Sequence, residues 1–188
     1  MPRPRRSTSA LAALRRVAPL VVVCLAACSG GSPSSPPPPA AVLQVGGEWL
    51  GVEEVLGAEP VGNCYADWFN SLAGTLSDYR LVIVQNGASV RLTSTFIGPG
   101  PGNGLSETFE GTVGASSLEA TVISGPRVGP FDCDGTPITV RTTAERFNLA
   151  GTSQQLSGVL TIDFELLDPQ TGARLGTVRL REGAEFRR

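Results

Sequence analysis

The chain has 188 residues with 15 basic and 17 acidic side chains; every basic one is arginine, and there is no histidine. That composition excludes histidine-based triads, histidine metal sites, lysine Schiff bases and the phosphate-loop lysine. Five arginines fall in the first 16 positions, so the remainder carries ten against 17 acids, a net charge of −7 that argues against nucleic acid and against anionic lipid surfaces.

Arg3, Arg5, Arg6, Arg15 and Arg16 precede an apolar run from Val17 to Ala27 that is too short to span a bilayer. Residues 1–27 therefore read as an export signal. Neither Arg5-Arg6 nor Arg15-Arg16 is followed by the residues of a twin-arginine motif, so the general secretory route is expected, and Cys24 leaves with the signal. The run ends in Leu25-Ala26-Ala27-Cys28, which resembles the lipobox of bacterial lipoproteins. The resemblance implies cleavage before Cys28, a diacylglyceryl group on its thiol and a cell-envelope protein held to the membrane by lipid. Ser29 stands where a retention signal would place aspartate, which implies outer-membrane delivery if the host has two membranes. Acyl chains contribute about 0.8 kcal/mol per buried methylene, enough for stable anchoring without a membrane helix.

Ser29 to Ala41 is Ser, Gly and Pro-rich, with Pro36 to Pro39 in succession, and builds no core. With Cys28 it forms an anchor-and-tether segment over 28–41, reaching about 40 Å at roughly 3.1 Å per residue.

Val42 to Arg188 suits one domain, 42–188, and its dominant signal is alternation of period two broken by Gly, Pro, Asn and Asp. Strands are predicted over Gly47 to Val55, Tyr79 to Val84, Ser89 to Phe96, Thr108 to Val113, Ser117 to Ile123, Pro137 to Thr143, Arg146 to Leu149, Leu160 to Leu166 and Arg174 to Glu182, about nine in all. Asn86-Gly87 predicts a hairpin turn, and so does Asp168-Pro169-Gln170-Thr171-Gly172. In the second hairpin Leu160, Ile162, Phe164 and Leu166 face one side and Thr161, Asp163 and Glu165 the other. Leu175 falls out of phase with Val178 and Leu180 unless Gly176 marks a bulge.

One helix is predicted over Cys64 to Ala73, with Asn63 as N-cap and Gly74 as its end. Its aromatic cluster, Tyr65, Trp68 and Phe69, either seals the fold or lines a ligand site; packing is the expected role. With Cys24 and Cys28 set aside, Cys64 and Cys133 remain, and two cysteines in an exported domain are expected to pair.

Many short antiparallel strands in one small domain predict an all-β, up-and-down β-barrel of eight to nine strands, since closure removes exposed edges; a β-sandwich is the alternative. Gly47-Glu48-Trp49 is similar to the G-x-W signature of lipocalin-like (calycin) barrels. That resemblance implies an arginine late in the final strand packed over Trp49, a part assigned to Arg181 or Arg179. Tyr79-Arg80-Leu81, Gln85, Gly87 and Val90 resemble a Y-x-L-x-x-x-Q-x-G-x-x-V pattern of uncharacterised envelope lipoproteins with a glycine-rich β-domain. That resemblance implies a fold and no chemistry.

Asp132-Cys133-Asp134-Gly135 is faintly like the start of a calcium loop but lacks its later ligands, and reads as a disulfide-bearing turn. Gly98 to Gly104 reads as an exposed loop, and Asp163 and Glu165 as outward acids rather than a catalytic pair. No catalytic residue, metal or cofactor is expected. Three functions stay open. The preferred one is a non-enzymatic module binding a small apolar ligand or an envelope partner. The others are a periplasmic protease inhibitor inserting Val42 to Gly46 into an enzyme, and a hydrolase using carboxylates alone, which requires acids converging in one cleft. Phe96, Phe109, Phe147 and Phe164 are candidates to fill the barrel and leave no cavity.

Overall fold

The computed structural model describes residues 41–100 and 102–188. The expected signal segment, Cys28 and the tether up to residue 40 lie outside the described residues. Nine strands and one helix follow in the order β1 Gly47–Glu59, α1 Cys64–Ser71, β2 Leu76–Asn86, β3 Ser89–Phe96, β4 Ser106–Val113, β5 Ser117–Val122, β6 Val128–Cys133, β7 Thr136–Gly151, β8 Gln155–Leu167 and β9 Arg174–Arg187.

Each strand pairs antiparallel with its neighbours, β9 returns beside β1, and β5 meets β7. Eight strands thus close a barrel, and β6 is an extra strand paired with the first part of β7. The sandwich alternative is set aside by this closure. Pro130 is tolerated in β6 because the strand lies at an edge and its missing N–H breaks no ladder on the open side.

The turns follow their residues. Gly87 is left-handed (φ 59°) and with Ala88 reverses the chain between the paired Asn86 and Ser89. Asp168 Oδ1 accepts from the backbone N–H of Gln170 and Thr171 at 2.9 and 2.7 Å, pinning the β8–β9 turn. Asp134 and Gly135 are both left-handed (φ 52° and 84°), making the disulfide-bearing turn between β6 and β7. Asn63 caps α1, accepting from Tyr65 N–H at 3.0 Å.

Two predicted strands, Pro137 to Thr143 and Arg146 to Leu149, are one strand, β7, because a bulge between Thr142 and Ala144 shifts the register without ending the ladder. Ile138, Val140 and Thr142 face inward before it, and Glu145, Phe147 and Leu149 after it. A second bulge, between Val55 and Gly57, changes phase in β1. Near Gly176, Leu166 pairs with Gly176 but Leu167 with Arg174, so Leu175 is the extra, exposed residue of a third.

The barrel has a packed half and a hollow half. Trp49, Leu81, Leu92, Phe109, Phe147 and Phe186 are fully buried in the packed half, with Phe109 and Phe147 centroids 4.9 Å apart. Gly51 is required there: a side chain would meet Glu185 O at 2.1 Å and the Phe186 ring at 2.4 Å. The chain enters at this end. Leu43 N–H donates to Gly114 O, Val45 and Gly46 N–H donate to Gln85 Oε1 at 2.7 and 3.1 Å, and Gln85 Nε2–H donates back to Leu43 O at 2.8 Å.

Candidate functional site

The hollow half holds a cavity of about 600 Å³. Inward positions from the far ends of the barrel strands supply its floor, and α1 and β6 supply an aromatic wall. The apolar part is Tyr65, Trp68, Phe69, Tyr79, Phe131 and Phe164. Tyr65 packs edge-on against Phe131 and Phe164, with centroids 4.8 and 5.2 Å away. The partly exposed Trp68 (44%), Leu105 (69%) and Val128 (61%) border the cavity and give it an apolar rim. Gly102 and Leu105, at the end of the loop that leads into β4, lie at that rim.

Three links hold the wall. Cys64 and Cys133 form a disulfide with Cα atoms 5.6 Å apart, tying α1 to β6. Asn70 pairs with the Ala58 backbone in both directions, accepting from its N–H at 2.7 Å and donating to its carbonyl at 3.1 Å. Arg127 supplies the third. β7 pairs with β5 only up to Arg146, and from Arg141 back to Thr136 it pairs with β6. The wall is therefore split beyond Thr121, and Arg127 spans the split, bonding Glu107 of β4 at 2.7 Å and Glu145 of β7 at 2.8 Å.

The floor is acidic. Glu53 of β1, Glu107, Glu145 and Glu182 of β9 all line the cavity, and Arg127 is the only cation among the described residues that do. Burial, together with the other glutamates, holds the Glu53 carboxyl protonated well above the usual carboxylate range, and it hydrogen-bonds Glu182. Burial raises Glu182 to about 6, against the pull of that bond and of Arg127. Glu145 is pushed up to about 9, first by burial and then by Glu107; the Arg127 guanidinium opposes this and is outweighed. Burial also raises the Tyr65 phenol to about 12 and keeps Tyr79 protonated.

The arrangement is asymmetric. Glu107 and Glu145 share a guanidinium. Glu53 and Glu182 face each other without one, and Glu53 Oε1, on a residue only 3% exposed, has no hydrogen-bond partner among the described residues. Among the described residues no group of three or more His, Cys, Asp or Glu is placed to hold a metal ion.

The aromatic cluster of α1 both packs and lines the cavity. Phe109 and Phe147 fill the packed half, whereas Phe96 and Phe164 line the cavity, so the phenylalanines do not occupy the whole interior. Trp49 is buried, donating Nε1–H to Val45 O at 2.8 Å. The arginine over its ring is Arg188, with the guanidinium carbon 4.7 Å from the ring, and not Arg181 or Arg179. The correction has a simple cause. β9 runs on to Arg187, and Trp49 sits at the end of the barrel where β9 finishes, whereas Arg181 pairs with Gly57 near the other end of β1 and points outward. Asp163 and Glu165 lie on the outer face, paired with Arg179 at 2.7 Å and with Arg141. Val42 to Gly46 is committed to the packed end, with Val45 fully buried.

The cavity glutamates and Arg127 escaped the sequence reading. A signal existed: Glu53 is in phase with Trp49, Glu107 with Phe109, Glu145 with Phe147 and Glu182 with Leu180, the same parity rule that sends Asp163 outward. Comparison with known proteins finds no matching family model, no matching curated protein and no matching solved structure.

Proposed function

We propose that the protein is a binding module of the cell envelope, a lipocalin-like barrel anchored through lipid on Cys28, that holds a small ligand with a largely apolar body. The observation that carries this reading is the hollow half of the barrel. Its volume of about 600 Å³ falls in the range of ligand cavities, about 300–1,000 Å³, and its aromatic wall with few convergent polar groups is their usual lining. The exposed apolar rim gives such a body a way in.

The convergence of glutamates favours a second reading, hydrolysis by carboxylates alone. Against it, Glu53 and Glu182 are close enough to hydrogen-bond, whereas cleavage between two carboxyls needs them about 5–9.5 Å apart with the scissile bond between. The inhibitor reading finds its inserted segment, Val42 to Gly46, already hydrogen-bonded to the barrel.

The test is titration of the mature protein with the neutral fluorophore N-phenyl-1-naphthylamine. Saturable binding is expected, lost in Leu160→Trp, which fills the floor, while that variant keeps the wild-type circular dichroism. Equal signal from both proteins would remove the cavity as the site. Failure of Cys28→Ser to leave the membrane fraction would remove the anchor.

A further inference from the structure

We infer that the ligand of this cavity carries a positively charged nitrogen, received by Glu53 and Glu182 while its apolar part lies along the aromatic wall. This rests on the binding reading above and names its ligand class.

Two pairs of glutamates face the same space, and among the described residues only one pair has a cation. Arg127 reaches in through the split wall and bonds Glu107 and Glu145 at 2.7 and 2.8 Å. The Glu53–Glu182 pair has no equivalent. Its Glu53 is 97% buried by fractional exposure, faces the cavity, and leaves Oε1 with no donor. An unpaired buried acceptor has given up its bonds to water with nothing in return, which is costly. Native proteins leave such a group when something else satisfies it. A donor brought by the ligand meets that need, and a cationic donor meets the charge as well.

The charge balance points the same way. Glu53 is faced by Glu182 from β9, Glu107 from β4, Glu145 from β7 and the Tyr79 phenol from β2, with Arg127 as the one cation among the described residues. Burial and mutual repulsion keep protons on Glu53 and Glu145. A bound ammonium replaces the proton as the partner of the Glu53–Glu182 pair: the cation enters, Glu53 loses its proton to solvent, and the one carboxylate gained offsets the one positive charge added, so the net charge of the site is unchanged. The walls suit the rest of such a molecule, since Tyr65, Trp68 and Phe131 offer ring faces that attract cations as well as apolar groups.

The experiment is isothermal titration of the mature protein with three water-soluble ligands of one shape, 3-phenylpropylamine, 3-phenylpropanol and 3-phenylpropanoate, at pH 7. The amine is expected to bind at least tenfold more tightly than the alcohol, and the carboxylate most weakly. Benzyltrimethylammonium, which cannot exchange a proton, is expected to release protons on binding, seen as heats that depend on the ionisation enthalpy of the buffer. Glu53→Gln has the shape of the protonated carboxyl and keeps the fold; it is expected to cut amine affinity about tenfold, abolish proton release and leave the alcohol unchanged. Alcohol binding equal to amine binding overturns the cation while leaving the cavity reading intact. Tighter binding of phenyl glucoside than of the amine overturns it too, assigning the glutamates to sugar hydroxyls. Binding of none of these ligands, with no fluorophore uptake, overturns the cavity reading itself.

Discussion

At the residue scale, the acids inside the barrel set how stability depends on pH. A carboxyl whose pKa is raised on folding binds its proton more tightly in the folded chain than in the unfolded one. Its contribution is therefore full below the unfolded value, near 4.5, and is lost as pH rises through the folded value. For Glu182 that loss runs from about pH 4.5 and is complete just above pH 6, and for Glu145 it is complete just above pH 9. The melting temperature is expected to fall between pH 5 and pH 9, by about 2–4 °C for each kcal/mol lost in a domain of this size. Glu145→Gln is expected to flatten the curve, and an identical slope in both proteins would contradict the protonation state described above. At the packed end, Arg188→Ala removes both the cation over Trp49 and the bond to Gly46 O, with an expected cost of about 1 kcal/mol in urea unfolding. Arg181→Ala, on the outer face, is expected to change stability by less than about 0.5 kcal/mol.

At the element scale, the disulfide joins the only helix among the described residues to β6, the strand outside the barrel closure, its two cysteines lying 69 positions apart in the chain. Neither element is held by the barrel ladder on both sides. Reduction is expected to lower stability by roughly 4 kcal/mol on a chain-entropy estimate, and amide exchange should rise first in α1 and β6. Equal protection loss across all strands would show that the link supports the barrel as a whole instead. These elements also mark where the sequence was readable. Leu160 to Leu166 alternates without interruption, so its strand, its faces and its turn were all legible. β6 was missed because Gly129 and Pro130 interrupt its alternation, and β7 was divided because its bulge reverses phase at Thr143. The expected total of nine strands matches the observed nine because one strand was divided and another missed.

At the scale of the whole molecule, closure was legible because the predicted strands were numerous, short and successive, and the pairing of the two remaining cysteines followed from their number. The split wall was not legible. It depends on β7 exchanging one partner for another along its length, a long-range choice that leaves no local mark. The four glutamates converge only after that wall is built: the parity that turns each of them inward is local, since neither the β1 nor the β7 bulge falls between the acid and its in-phase core residue, but their meeting in one cavity is not. The Gln85 of the Y-x-L-x-x-x-Q-x-G-x-x-V pattern acquires a physical role: its side chain takes the place of a strand partner for Leu43, Val45 and Gly46.

That clamp fixes the end of the barrel at which the chain enters. The chain arrives at the packed base, and the hollow half opens at the opposite pole. The entry of the chain and the mouth of the cavity thus lie at opposite ends of the barrel, so the clamped segment from Val42 to Gly46 does not stand across the opening.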